Sequence, residues 1–230
     1  MIPPLIVKRA LELALGIIAI TDHNSAENVA AVVEAAKGSE LTVLPGMEVQ
    51  TREEVHLLCL FGSVQQALDW QEFVYTRLPP LKNNESLFGP QFVVDASGDL
   101  VRYNERLLLT STSLSIEDVT REIERRGALC IAAHVDRPAF SLLANLGFVP
   151  EDVPFSAMEI TRHTSWQELR EQHPSLSGFS FIRSGDAHRL AEMSDSTILT
   201  LREPTLAEIA MALRRQNGRK AKIVDNRHHT

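Results

Sequence analysis

Short apolar runs alternate with amphipathic stretches along most of the chain. The run Ile17–Ile20 is continuous, which predicts a strand buried on both faces. Similar runs predict further strands at residues 41–49, 55–61, 128–134, 157–160, 179–184 and 196–201. Helical spacing predicts helices at residues 5–15, 27–36, 65–78, 115–126 and 206–215. This alternation indicates an α/β fold with a parallel sheet, either open or closed into a barrel.

Two regions depart from the alternation. Residues 81–112 contain several turn signals and predict a hairpin of 91–94 with 100–103. This segment is interpreted as an insertion, which is either a lid or a surface elaboration without function. The polar tail, residues 217–230, is expected to fray. Residues 1–230 are otherwise expected to form a single domain, a length that α/β barrels reach undivided.

Composition narrows the functional classes. The hydrophobic fraction of 44% suffices for a sizeable core. The formal net charge of -7 argues against a broad nucleic-acid surface or an anionic-membrane surface. A small phosphorylated substrate remains compatible with this charge, because bound cations invert the local field. Neither a signal peptide nor a membrane span is evident, so a soluble cytoplasmic protein is expected. Oligomeric state is not predicted.

Nitrogen and oxygen donors recur at the ends of the predicted strands. They are Asp22, His23, Glu48, His56, His134, Asp186 and His188. Carboxyl ends of parallel strands are where α/β folds place their chemistry. A single buried histidine is usually structural, but this recurrence favours a shared site. A donor set without thiols suits Zn, Mn or Fe(II) in hydrolytic chemistry. Asn24 and Ser25 follow the first pair and are expected to cap the next helix.

These motifs, taken in order, resemble the polymerase and histidinol phosphatase (PHP) family of metal-dependent phosphoesterases. The resemblance rests on Thr21-Asp22-His23-Asn24, Pro45-Gly46-Met47-Glu48, His56, Ala133-His134 with Arg137-Pro138, and Gly185-Asp186-Ala187-His188. It implies a distorted, seven-stranded β/α barrel with two or three divalent metal ions at the carboxyl ends of its strands. It also implies hydrolysis of a phosphate ester, including nucleotide-type substrates, by a metal-activated water.

The resemblance also implies a ligand set. Glu48 would bridge two metals, with His56 and His134 as its partners on one of them. His23 and His188 would bind a further metal, and Asp186 would complete the first. Asp22 would either be a ligand or orient His23.

One family feature is absent from the sequence. Family members begin with a strand that carries His-x-His, whereas this sequence has no histidine before His23. The barrel is therefore expected to lack its first strand, and fewer metals are expected than in a complete family site. The open interpretations are a truncated start and a degenerate relative. Either leaves Glu48, His56 and His134, a three-ligand set that can hold a catalytic metal.

Two arginines are candidates for substrate binding. Arg137 follows His134 and either forks onto a substrate phosphate or pairs with Asp136 at the surface. Arg162 lies after the 157–160 strand, where it either touches substrate or is solvated. The leading hypothesis is a metal-dependent phosphoesterase. The alternatives are a metal- or phosphate-binding module without turnover and a metal-dependent hydrolase of C–N bonds, although no carboxylated lysine is indicated.

Overall fold

The computed structural model describes residues 1–150, 152–194 and 197–224. The helices are α1 (Pro3–Glu12), α2 (Val29–Ala35), α3 (Val64–Tyr75), α4 (Glu85–Phe88), α5 (Ile116–Arg125), α6 (Leu142–Leu146), α7 (Trp166–Gln172) and α8 (Leu206–Leu213). The strands are β1 (Ile17–Ile20), β2 (Thr42–Gln50), β3 (His56–Leu60), β4 (Phe92–Val94), β5 (Leu100–Tyr103), β6 (Leu129–Ala132), β7 (Ala157–Ile160), β8 (Phe181–Arg183), β9 (Thr197–Thr200) and β10 (Lys220–Ile223).

The main sheet has six strands in the order β1-β2-β3-β6-β7-β8. Strands β1 and β2 pair in parallel, as do β6 with β7 and β7 with β8. The expectation of an all-parallel sheet is wrong at β3, which runs antiparallel to both of its neighbours. Only residues 51–55 connect β2 to β3. A parallel crossover needs a dozen or more residues, so this connection forces a reversal.

The sheet curls into a partial barrel, which confirms the predicted α/β fold with a distorted, incomplete barrel. Strands β1 and β8 form its two edges. Beside them lies a cavity of about 1050 Å³, lined on its inner wall by apolar side chains that include Ile18, Leu44 and Ile182. Strand β1 was expected to be buried on both faces. It is only partly buried, and Ala19 is exposed, because β1 lies at an edge.

Helices cover the outer face of the sheet. Trp70 of α3 and Ile123 of α5 are fully buried in one core cluster with Met47 and Leu57. Gly46 lets β1, β2 and β3 approach closely, since a Cβ atom there would lie 2.8 Å from Thr21 Cγ2 and 3.0 Å from Leu60 Cδ2. The middle strands of the sheet are therefore packed tightly in the core.

The predicted hairpin in residues 81–112 is confirmed, because β4 and β5 pair antiparallel with Phe92 opposite Tyr103. The end of the insertion is held to the segment after β1. Asn24 donates to the carbonyl oxygens of Leu108 and Thr110 at 2.8 Å each. The role of this segment as a lid remains a prediction.

Two local expectations need correction. Asn24 is not a helix cap: it has φ 48°, and its amide connects Gln50 of β2 to the insertion. Helix α2 begins later, with Asn28 at its N-cap position. The tail does not fray throughout, because β10 pairs antiparallel with β9. Residue 196 and residues 225–230 lie outside the described part of the chain. None of the described helices is long and apolar enough to cross a bilayer.

Candidate metal centre

The reversal of β3 explains how a histidine at a strand start joins residues at strand ends. In the β2–β3 ladder, His56 pairs with Gln50 and Leu58 pairs with Glu48. The first residue of β3 therefore lies at the edge of the sheet where β2 and β6 finish. A parallel bridge between His23 and Glu48 continues the β1–β2 register three residues beyond the Ile20–Pro45 pair and brings His23 to the same edge.

Three imidazoles converge on this edge around the carboxylate of Glu48. Glu48 Oε2 lies 3.0 Å from His23 Nδ1. Its other oxygen, Oε1, lies 3.4 Å from both His56 Nδ1 and His134 Nε2. Donor atoms of His23, Glu48 and His56 all lie within 4.8 Å of one another. The structure thus brings together the residues that the sequence proposed as a ligand set, with Glu48 in the centre.

The buried imidazoles are not satisfied by the protein. Neither ring nitrogen of His56 or His134 has a hydrogen-bond partner among the described residues. Both rings are nearly inaccessible to solvent, at 7% and 2% exposure. Buried polar groups in native proteins are almost always bonded, so four orphaned nitrogens call for an explanation. A divalent cation bound between these rings and Glu48 would take one nitrogen of each ring, and the nitrogen and oxygen donor set suits such an ion.

The electrostatics favour a charged carboxylate at the centre. Burial opposes ionisation of Glu48, but contacts with the His134, His23 and His56 rings outweigh it and hold its pKa well below the usual range. Burial also disfavours a charged His23, yet the adjacent Glu48 carboxylate raises the pKa of its ring. The centre therefore presents an ionised carboxylate, the form that binds a cation.

One member of the site, Glu159 near the end of β7, was not identified from the sequence. It is 2% exposed, and its Oε2 accepts the backbone N–H of His134 at 2.9 Å. Its other carboxylate oxygen contacts the Ser184 hydroxyl. Burial raises the pKa of Glu159 to about 7. The available signal was a lone acidic residue inside an otherwise apolar strand.

The turn that carries His134 is strained and clamped. His134 has φ 30°, a left-handed conformation that is uncommon outside glycine. Asp136 in the same turn accepts from the backbone N–H of Thr161 at 2.9 Å, while Glu159 accepts from His134. The turn after β6 and the end of β7 are thus joined in both directions, because each provides a carboxylate that accepts a backbone N–H of the other. Strain of this kind persists only where surrounding contacts determine the geometry.

The second part of the site is more exposed. Asp186 and His188 follow β8, with their side chains 22% and 63% exposed, and His188 Nδ1 lies 3.9 Å from Asp186 Oδ1. The His23 and His188 ring centroids are 6.0 Å apart, which connects this part to Glu48. Arg137 forms an ion pair with Asp186. Its partner is therefore Asp186 rather than Asp136.

Two candidates lie farther out. Asp22 is exposed, and its carboxylate accepts from Asn28 Nδ2 at 3.3 Å. It lines the large cavity together with His23, Asp186 and His188. Arg162 is also exposed, but the structure does not bring it to Glu48; its hydrogen bond, at 3.5 Å, is to the ring of neighbouring His163.

Comparisons with known proteins agree with this geometry. Residues 3–171 match the family model of the PHP domain. The lesion-specific endonuclease Q of Pyrococcus furiosus superposes with a TM-score of 0.66 at 17% identity, over 96% of this chain and 53% of that chain. A Bifidobacterium adolescentis protein assigned as a metal-dependent phosphoesterase superposes with a TM-score of 0.58 at 16% identity, over 94% of this chain and 91% of that one. No curated protein sequence matches.

One expectation from composition is wrong. The net charge of -7 argues, on composition alone, against a broad nucleic-acid surface. A second endonuclease Q structure, with a TM-score of 0.60 and 15% identity, contains a 27-mer duplex with an abasic lesion at the active site. A protein of this fold thus binds DNA, so the charge carries no such exclusion. This chain spans about half the length of the endonuclease Q chains that it matches.

Proposed function

The chain belongs to the PHP domain family, and from that premise we propose that it hydrolyses a phosphate ester of nucleotide or nucleic-acid type with the help of a divalent cation. The observation that carries the proposal is that neither ring nitrogen of buried His56 or His134 makes a hydrogen bond, although one nitrogen of each ring lies 3.4 Å from Glu48 Oε1. Buried imidazoles of a purely structural cluster are normally hydrogen-bonded, whereas a cation bound by Glu48 and by one nitrogen of each ring would account for the missing bonds.

The proposed holders of the cation are Glu48, His23, His56 and His134, with Asp186 and His188 as further ligands on the exposed side. A bound divalent cation supplies Lewis-acid activation of a water molecule and of the phosphoryl group. The metal identity is left to Zn, Mn or Fe(II), which all accept these donors. Glu48 would contribute its two oxygens to different sides, since they already face different histidines.

Other side chains would bind and orient the substrate. Arg137 is held by the Asp186 carboxylate, and its guanidinium would exchange that partner for a phosphate oxygen when Asp186 turns to a cation. Asp22 would orient the neighbouring loop through Asn28. We assign Arg162 no contact with substrate.

The test uses metal-stripped protein reloaded separately with Mn²⁺, Zn²⁺ or Fe²⁺. Hydrolysis is measured with p-nitrophenyl phosphate, bis(p-nitrophenyl) phosphate and a single-stranded oligonucleotide. We expect turnover of at least one substrate with one reloaded metal, its loss on chelation, and its recovery on reloading. Activity that persists in fully stripped protein would contradict the proposal.

A second candidate is a binding module without turnover. It is favoured by one observation: among the described residues, a single group of three or more donors meets the spacing needed for a metal. In that case the protein would bind one cation per chain and hydrolyse none of the three substrates with any of the reloaded metals. Metal stoichiometry measured alongside activity distinguishes the two candidates.

A further inference from the structure

The β4–β5 hairpin presents two aromatic rings to solvent. Phe92 is 50% exposed and Tyr103 is 47% exposed. The two residues are directly opposite in the ladder, and their ring centroids are 5.5 Å apart with an interplanar angle of 42°. Two adjacent large rings left half in water forgo the stabilisation that burial would give. An exposed apolar patch of this kind commonly marks a binding surface.

The hairpin is fixed in position by the segment that follows His23. The side-chain amide of Asn28 accepts from Val94 N and donates to Phe92 O, both at 3.0 Å. At β5 and the residue that follows it, Glu27 pairs with Arg102 at 2.5 Å and accepts from Asn104 at 3.2 Å. The rings are therefore pre-organised, which lowers the entropic cost of binding a ligand.

Strand β4 of the hairpin lines the same cavity as residues of the candidate metal centre. Phe92 lines the cavity of about 1050 Å³ that Asp22, His23, Asp186 and His188 line. Asn28, which holds the backbone of Phe92, also donates to the Asp22 carboxylate at 3.3 Å. One side chain thus connects the aromatic pair to the loop that carries His23.

The chemistry of the hairpin favours a flat, uncharged group. The cations of the hairpin and of the segments that flank it already have partners: Arg102 pairs with Glu27, Lys82 pairs with Glu105, and the guanidinium of Arg106 stacks over the Tyr75 ring at 4.4 Å. Besides the aliphatic side chains of Leu100 and Val101, the hairpin exposes the faces of Phe92 and Tyr103, and aromatic faces bind other π systems by stacking. A nucleobase is such a group, and in a nucleotide it is joined to a phosphoester.

We propose that Phe92 and Tyr103 form a stacking platform for an unpaired nucleobase next to the phosphoester bound at the candidate metal centre. The proposal rests on the proposed function and specifies its substrate class as a single-stranded or locally unpaired nucleic acid. Stacking on an aromatic side chain typically changes affinity by about tenfold per base.

The first experiment measures binding without turnover. Fluorescence anisotropy compares a labelled five-residue oligothymidylate with an oligomer of the same length and charge in which every base is replaced by tetrahydrofuran. The wild-type chain, stripped of metal, is expected to bind the base-bearing oligomer on the order of tenfold more tightly. The double variant Phe92→Ala/Tyr103→Ala is expected to lose that preference.

A matched control excludes a general effect of removing a surface ring. Phe148 is 59% exposed and does not line the cavity, so Phe148→Ala is expected to keep the full preference. Unchanged thermal unfolding of the double variant shows that it is folded. Equal wild-type affinity for the two oligomers overturns the proposal, as does a preference that survives the double substitution.

The second experiment separates this inference from the proposed function. Turnover of thymidine 5′-(p-nitrophenyl phosphate) is compared with turnover of methyl p-nitrophenyl phosphate, which has the same leaving group and no base. A lower KM for the thymidine ester, abolished in the double variant, supports the platform. Equal KM values overturn the platform while leaving phosphoesterase activity intact. Base-dependent binding without any turnover supports the platform and contradicts the proposed function.

Discussion

Two buried carboxylates in this protein have different kinds of partner. Glu208 of α8 is matched by Arg219, which donates from Nε at 2.8 Å and from Nη2 at 2.7 Å. Glu48 faces three imidazoles, and both nitrogens of two of these rings lack hydrogen-bond partners among the residues described. Both acids have lowered pKa values, Glu208 to about 2. The chain supplies a cationic partner to Glu208, whereas it surrounds Glu48 with imidazoles that are candidate ligands of a metal ion.

The difference separates structural charge pairs from candidate functional ones. A bidentate arginine and carboxylate pair is complete and pins β10 near α8. A carboxylate surrounded by imidazoles without hydrogen bonds lacks such a partner, and a bound cation would supply it. Perturbed pKa values alone would mark both Glu208 and Glu48 as candidate functional residues. The orphaned nitrogens are what distinguish them.

The strongest test of the comparison is Glu48→Ala. We expect metal affinity to fall by on the order of 100-fold or more, beyond the usual cost of losing an outer-sphere partner. Hydrolysis should be abolished, because the central anion is lost. Isothermal titration with Mn²⁺ or Zn²⁺ and metal analysis of the purified protein check this.

The matched variants of that test are His134→Ala and His173→Ala. His134→Ala should behave like Glu48→Ala, whereas His173 lies at the end of α7 and its replacement should leave metal content unchanged. If Glu48→Ala binds metal as the wild type does, the proposed ligand set is wrong.

A smaller effect is expected at Glu159, which holds the His134 turn without being a proposed ligand. Glu159→Ala should weaken metal affinity by about 10- to 100-fold, as removal of an outer-sphere partner commonly does. Glu159→Gln should retain most of the affinity, because its amide oxygen can accept the same His134 N–H. Equal losses in both variants would show that the charge, rather than this hydrogen bond, matters.

Arg137→Ala is expected to act on substrate and not on metal. It should raise KM by about tenfold through loss of a charge-assisted contact to phosphate. Metal stoichiometry should stay unchanged, because Asp186 is freed rather than removed. Steady-state kinetics and metal analysis on the same preparation check both points. A loss of bound metal would instead show that Arg137 supports the metal site rather than the binding of substrate.

The smallest effect concerns Glu208→Gln and its dependence on pH. Pairing with Arg219 lowers the pKa of Glu208 to about 2 from the ordinary value of 4.5. The folded state therefore favours the ionised acid, and its contribution to stability is present above pH 4.5 and lost as the pH falls towards 2. At pH 7 the variant should unfold a few degrees below the wild type. Thermal scans should show the two curves converge below pH 4.5, while metal affinity at pH 7 stays unchanged.

The sequence predicted the candidate donors because each stands at the end of a recognisable apolar run or, for His56, at its start. It did not predict the direction of β3, although the five residues 51–55 were too few for a crossover. Strand β10 was assigned to a fraying tail, yet Lys220–Ile223 alternates polar and apolar residues in the manner of a half-buried strand.

Contacts that depend on distant residues were beyond the sequence. Asn24 could be judged only by its neighbours, and its polar side chain suited a helix cap as well as the role it has between β2 and the insertion. The contact of Glu159 with the His134 turn spans 25 positions and depends on the pairing of β6 with β7. Local pattern carries no information about such a partner.

The tight connection between β2 and β3 has a consequence for the order of folding. Glu48 and His56 are only eight positions apart in the chain, so the loop that brings them together closes at little entropic cost. Asp186 and His188 are far away in sequence and must await the later strands. We therefore expect the β2–β3 pair to bring Glu48 and His56 side by side before the rest of the barrel has formed.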